Sequence, residues 1–157
     1  IEVSFIGYFH GRNAYKQKRE FMTILDSINR NGIKAVFKEN LSGNELREEI
    51  IKADICVMPQ KISSKFSEYS FPSKLPRYLS YGKLVVSSAI KPVVESSFGG
   101  LVISYYSDNT AELLKAITRA IELVRSGESC EYENKILNKI RKMVSEQEEN
   151  LIRFLDN

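Results

Sequence analysis

The residues best placed to do chemistry lie between positions 71 and 83: Phe71-Pro72-Ser73-Lys74-Leu75-Pro76-Arg77-Tyr78-Leu79-Ser80-Tyr81-Gly82-Lys83. Pro72 holds the entering chain extended, and Ser73 is a residue type that caps helix starts. Pro76 is tolerated in a first turn, where its missing N–H has no helical partner to lose. Leu75, Tyr78 and Leu79 recur at helical spacing and should face a core, and Gly82 ends a short helix. A helix start presents unpaired amides and a partial positive charge, and Lys74 adds a full charge there. The chemistry so implied is anion binding, phosphate above all. The same residues also describe a plain capped helix with a surface lysine, and on spacing alone both readings stand.

The elements that must position this segment are legible on either side of it. Apolar, β-branched runs at 1–9, 33–38, 54–59, 84–88 and 101–106 alternate with helical patterns. Such alternation implies βαβ units and a parallel sheet covered on both faces. Phe21, Ile24, Leu25 and Ile28 mark the first helix, with Asn31-Gly32 as its stop. Ser42-x-x-Glu45 is a capping box ahead of Leu46, Ile50 and Ala53, and Asn109-x-x-Glu112 opens another helix. That helix carries Leu113, Leu114, Ile117, Ile121 and Val124 on one face and closes at Gly127. From Tyr132 a long, charge-rich helix follows, with Ile136, Ile140, Met143, Val144, Leu151 and Leu155 as its apolar positions. The expectation is one doubly wound, Rossmann-like α/β domain over 1–157, with five strands in the order 3-2-1-4-5 and helices on both faces. Ligands of such sheets sit beyond the carboxyl ends of the strands. The loops at 7–18 and 60–72 should therefore line the crevice.

Composition narrows the function classes. Of 157 residues, 43% are hydrophobic and 27% charged, proportions ordinary for a globular chain. The net charge of +3 is mild, and Lys and Arg are interleaved with Glu, so no face is marked for nucleic acid. Two cysteines, Cys56 in an apolar run and Cys130 far from it, make no disulfide framework, and a reducing, cytoplasmic setting is expected. No run approaches the ~20 apolar residues that span a bilayer. The single histidine, His10, makes no metal site with two distant cysteines and assembles no catalytic triad. No metal is expected. His10 reads as an exposed loop residue or as a phosphate contact. A phospho-receiver module needs acidic residues after strand one, and Tyr8-Phe9-His10 offers none. Tyr105, Tyr106 and Phe98 read as packing around strand five. The chain starts at Ile1, directly on a strand, and is expected to be part of a longer protein.

The run FPSKLPRYLSYGKLVVSS resembles the hallmark segment of GT-B glycosyltransferases of the retaining, family-4-like kind, whose form is roughly P-S-K-x-x-E-Y-L-A-x-G-K-P-V-V-A-S. The likeness continues through Glu95, Gly99-Gly100-Leu101-Val102 and Asp108-Asn109-Thr110-Ala111-Glu112-Leu113. The strand at 1–7 and the long last helix are similar to the carboxyl-terminal half of that fold. The resemblance implies a domain that binds a nucleotide-sugar donor, UDP- or GDP-linked, with an acceptor-binding half ahead of Ile1. It implies transfer of a hexose-type sugar to a glycan or lipid-linked acceptor in surface polysaccharide or glycoconjugate synthesis, at the inner face of the membrane. This half alone is expected to be inactive, with the catalytic residues mainly in the other half.

Carried over position by position, Ser73 and Lys74 match the family's donor-diphosphate segment. The family also has a glutamate on the donor ribose and another near the transferred sugar. Counting back from Gly82, these positions hold Arg77 and Tyr69, with Glu68 one residue from the latter. An arginine carries donors only and cannot accept from ribose hydroxyls. Arg77, Tyr69 and Phe71 are therefore placed near the ribose or base, with Arg77 reaching a phosphate or the base. The family further has an Arg and a Lys after strand one that stabilise the leaving diphosphate, and Arg12 with Lys16 or Lys18 supplies that pair. Absence of both glutamates leaves a second reading open, a non-catalytic GT-B-like interaction module.

Overall fold

A computed structural model describes the backbone of residues 1–155 and the side chains of residues 1–150. In chain order the elements are β1 (Glu2–Gly7), α1 (Ala14–Arg30), β2 (Lys34–Glu39), α2 (Gly43–Lys52), β3 (Ile55–Met58), a 3₁₀ turn (Lys65–Glu68), α3 (Lys74–Ser80), β4 (Leu84–Ser88), α4 (Lys91–Val94), a second 3₁₀ turn (Gly99–Leu101), β5 (Ile103–Tyr105), α5 (Thr110–Ser126) and α6 (Ser129–Leu155). The protein is α/β, every strand pairing is parallel, and a long helix closes the chain, as expected. It divides into two compact units, Ile1–Glu49 and Ile50–Asn157, with the boundary inside α2.

In the first unit β1 lies parallel to β2, from Glu2 opposite Lys34 to Gly7 opposite Glu39. The core is aromatic: Phe21 of α1 lies 5.2 Å from Phe5, 5.8 Å from Phe9 and 5.3 Å from Phe37, ring centre to ring centre. Leu25 and Ala35 are buried with them. Ile24, expected on the same stripe, is exposed. A two-stranded sheet is narrow, and Phe21, Leu25 and Ile28 at i, i+4 and i+7 are enough to line it. The helix stops at Asn31, and Gly32 takes the left-handed φ of 82° that the exit requires.

Asn29 brackets the β2 backbone. Its Nδ2 donates to the Ala35 carbonyl at 2.9 Å, and its Oδ1 accepts from the Ala35 N–H at 2.8 Å. Ala35 is buried, and both of its backbone polar groups are thereby satisfied. Asn29→Ala is expected to strip both and to destabilise the first unit by about 1–3 kcal/mol. Chemical denaturation followed by far-UV circular dichroism checks this; a loss below ~0.5 kcal/mol would contradict it.

In the second unit β4 is central. Cys56 of β3 is level with Val85, Val57 with Val86, and on the other side Val86 is level with Ile103 and Ser88 with Tyr105. All of β4, Leu-Val-Val-Ser-Ser, is buried, as a strand covered on both faces must be. Leu84, Val86, Ile103 and Tyr105 meet Ala116 and Ala120 of α5. Val85 and Ser87 alternate to the opposite side, and α3 and α6 pack on β4.

The expected single sheet in the order 3-2-1-4-5 is not what forms. The 2-1 and 4-5 neighbours hold, but β3 pairs with β4 in a three-stranded sheet, and β1 and β2 make a two-stranded one. The connection at 59–83 contains α3, which packs back on β4, so it is an ordinary βαβ crossover between neighbours. Its length suggested a longer reach. In α5 the buried stripe centres on Ala116 and Ala120, whose small side chains let the helix approach the sheet closely. That rotates Leu114, expected inside, out to solvent. The caps are as expected: Asn109 Oδ1 accepts from the Ala111 N–H at 2.9 Å, and Gly127 closes the helix at φ 80°.

Gly99 has a packing reason for being glycine, since a Cβ there would sit 2.5 Å from the Val94 carbonyl oxygen. α6 begins at Ser129, slightly earlier than expected, and buries Ile136 fully while Val144 is exposed. The expected exposure of Leu151, Ile152 and Phe154 lies outside the described residues.

Candidate functional site

The segment singled out in sequence is built on the second unit, beyond the carboxyl end of β3. Its approach, residues 59–73, is not an open loop. Asp108, in the loop between β5 and α5, accepts from the Ile62 N–H at 2.6 Å and the Ser63 N–H at 3.0 Å. Ser64 Oγ accepts from the Phe66 N–H at 3.3 Å, and the buried Ser67 hydroxyl donates to the Lys61 carbonyl. These bonds wind Lys65–Glu68 into the 3₁₀ turn where sequence showed only a connection.

Ser63, through its hydroxyl and then its amide, and the Ile62 amide hold the Asp108 carboxyl below the ordinary range. A depressed carboxyl contributes stability above its unfolded value and loses it as pH falls through the folded one. The clamp is therefore expected to hold at neutral pH and to open only in acid. An NMR titration of the Ile62 and Ser63 amides should show a midpoint below the ordinary Asp value of 3.8. A midpoint at or above that value would contradict the arrangement.

α3 starts as the Leu75 N–H donates to the Pro72 carbonyl at 3.0 Å, leaving the Ser73 and Lys74 amides ahead of that first bond. Ser73 holds the cap position, but its φ of −59° and ψ of −20° are already helical and its hydroxyl makes no cap hydrogen bond. The Pro72 carbonyl closes the turn in its place. Leu75 and Leu79 are fully buried and Tyr78 half-buried, as the spacing required; burial pushes the Tyr78 hydroxyl pKa up. Lys74 and Arg77, at i and i+3 and so on one side of the helix, are exposed. Among the described residues neither has an ion-pair partner. Tyr69 is exposed, and the Phe71 ring packs 6.0 Å from Phe98. Lys83 is structural: its Nζ donates to the Ile51 carbonyl at 2.8 Å.

The other candidates belong to the first unit. The loop after β1 is shorter than expected, because the Ala14 N–H donates to the Gly11 carbonyl at 3.1 Å, with Gly11 left-handed, and α1 begins at once. Lys16 and Lys18 thus stand on the first turns of a helix and only Arg12 stays in the loop. Lys18 is bound to Glu39 at 2.5 Å, and Lys16 lies 3.8 Å from Glu20. Arg12 is exposed and has no ion pair among the described residues. His10 is exposed, its ring 5.4 Å from Tyr8.

Sequence reasoning missed Asp108 and Phe66. Asp108 precedes a helix-capping Asn109, so one of two adjacent capping types was left over for another partner. Phe66 is an aromatic inside a polar stretch, a signal passed over. Tyr106, read as packing, is exposed, whereas Tyr105 is buried: β5 ends at Tyr105, which joins the cluster under α5, and Tyr106 lies just beyond the strand. Burial in the second unit raises the Cys56 thiol to about 11, which leaves it protonated and unreactive at neutral pH. Cys130 is exposed. Among the described residues no three His, Cys, Asp or Glu side chains gather as metal ligands.

No family model matches the chain, and no curated protein matches it. Among the described residues no helix is long and apolar enough to cross a membrane.

Proposed function

We propose that this chain binds the nucleoside diphosphate of a sugar-nucleotide donor, UDP- or GDP-linked, as the donor-binding half of a GT-B glycosyltransferase. The observation that carries the reading is the start of α3: two exposed cations, Lys74 and Arg77, without ion-pair partners among the described residues, beside the Ser73 and Lys74 amides that precede the first helical bond. Unpaired cations and amides of this kind suit the charge and acceptor oxygens of a diphosphate. The part played by Arg12, Lys16 and Lys18 rests on the resemblance. Of these, Arg12 is the one without an ion pair among the described residues, Lys18 being bound to Glu39 and Lys16 lying near Glu20. Tyr69 and Phe71 belong near the ribose or base. The transferred group is a hexose-type sugar, and the acceptor a glycan or a lipid-linked sugar in surface polysaccharide or glycoconjugate synthesis. The setting is the cytoplasm at the inner face of the membrane, and an acceptor-binding half completes the enzyme. The chain alone is expected to turn over no nucleotide sugar.

One observation favours a second reading. Arg77 and Tyr69 stand where the resemblance calls for glutamates, as in a GT-B-like module that has become an interaction partner. Thermal unfolding with UDP, GDP and the corresponding nucleosides separates the two. Donor binding predicts stabilisation by the diphosphates, rising with concentration by about 2.7 kcal/mol at a hundred times Kd, and none by the nucleosides. Equal curves with and without nucleotide favour the interaction module.

A further inference from the structure

The outward face of α5 carries a strip that no part of the described structure covers. Ala111, Leu114 and Thr118, at i, i+3 and i+7, share one side of the helix, across from the buried Ala116 and Ala120. Lys115, Arg119 and Glu122 run beside them, and the six side chains border one open groove of about 420 Å³. Leu114 stands 61% exposed at its edge. The two buried alanines fix which way α5 faces, so the strip is turned outward by the core itself.

The charges along the strip indicate what covers it. Lys115 and Arg119 are balanced by Glu112 and Glu122, which leaves no surplus for a nucleic acid or an anionic surface. Lys115 is held by Glu112 at 2.7 Å, whereas the exposed Arg119 and Glu122 have no ion pair among the described residues. Those two lie three residues apart on one flank of the strip. When two identical helices pack antiparallel about a two-fold axis, each flank meets its own copy running the other way. An axis at the level of Ala120 then sets Arg119 beside Glu122 of the second copy, and Glu122 beside its Arg119. Leu114 meets the half-buried Ile121 and the aliphatic stem of Arg125 of the second copy, and the short Thr118 side chains let the backbones approach. Opposite charges and apolar groups are thus matched by one sequence against itself.

We infer that α5 is a self-association surface that pairs antiparallel with α5 of a second copy of this chain. One helix pair buries less than the ~1,200 Å² of stable specific interfaces, so the dimer is weak, with a Kd of roughly 0.1 mM. In dilute solution the chain is a monomer, and Leu114 is then as exposed as it is in the single chain.

Sedimentation equilibrium of the wild-type chain from roughly 10 μM to 1 mM tests this, and the mean mass is expected to climb from that of one chain toward that of two. Leu114→Asp should weaken association by roughly tenfold or more, because two carboxylates enter the apolar strip. Arg119→Glu and Glu122→Arg should each weaken it by about fivefold, since each sets like charges face to face on both sides of the axis. Arg119→Glu together with Glu122→Arg exchanges the two charges and should return affinity to within about threefold of wild type. An effect of either reversal on folding alone would not be recovered in this way. All three side chains are exposed, so each variant should keep the wild-type thermal midpoint in dilute solution. Nucleoside diphosphate binding should be unchanged throughout, as none of these residues belongs to the proposed nucleotide site, and the two proposals fail separately. A wild-type chain that stays monomeric over the whole range, association that Leu114→Asp leaves intact, or single charge reversals that the double reversal does not rescue would overturn the inference.

Discussion

Leu79→Ala is expected to lower the stability of the second unit by about 2–5 kcal/mol, the largest effect of any substitution considered for this protein. Leu79 has no exposed surface and neither has Leu75, its partner one turn earlier. Both lie on a helix that packs on β4, whose residues are buried along their whole length. Alanine there removes buried methyl groups and leaves a void between helix and strand that a close-packed core fills only partly. A domain is stable by about 5–15 kcal/mol in all, so the variant should unfold at markedly lower denaturant or not fold at all. Leu114→Ala is the control. Leu114 belongs to the same chemical type and was expected inside, but it is exposed on α5 and its loss should change stability by no more than about 0.5 kcal/mol. Equal effects from the two leucines, read in urea denaturation, would contradict this account of the core.

That pair of leucines also shows where the sequence could be read and where it could not. Periodicity located every strand and all the longer helices, and the caps at Asn109 and Gly127 bounded α5 almost to the residue. The apolar pattern is a local property, and local properties are what spacing reports. Which way a helix turns its stripe depends on how closely it approaches the sheet. Ala116 and Ala120, too small to stand out in a hydrophobic pattern, decide that for α5. Strand order was misread for a related reason, because the length of the 59–83 connection is compatible with either neighbour of β3 and only packing chooses β4. At the candidate site the placement of α3, Lys74 and Arg77 was legible from Pro72, Pro76 and Gly82. The bracing of the approach by Asp108 was not, since it joins residues 62 and 108 through hydrogen bonds that leave no periodic mark.

The second large effect concerns binding. A charge-assisted contact to phosphate contributes about 1.5–3 kcal/mol, so Lys74→Ala should weaken nucleoside diphosphate binding by roughly ten- to a hundredfold. Its side chain is exposed and has no ion-pair partner among the described residues, so the same change should leave stability almost untouched. Arg77→Glu gives a sharper comparison. If Arg77 grips phosphate, an acid in its place should harm binding at least as much as losing Lys74, because a cation is replaced by a repelling charge. If Arg77 only occupies the position of a ribose ligand, a carboxylate there accepts from the ribose hydroxyls and affinity should hold or rise. Isothermal titration of both variants reads the difference directly, with thermal midpoints confirming that the fold is intact.

The most direct test of the central claim is a ligand-observed NMR titration of the wild-type chain with UDP and GDP, using uridine and guanosine as references. Saturable binding of a diphosphate in the micromolar to millimolar range, absent for the nucleosides and lost in Lys74→Ala, is the predicted result. No binding of either diphosphate at millimolar concentration, or binding that Lys74→Ala leaves unchanged, would contradict it.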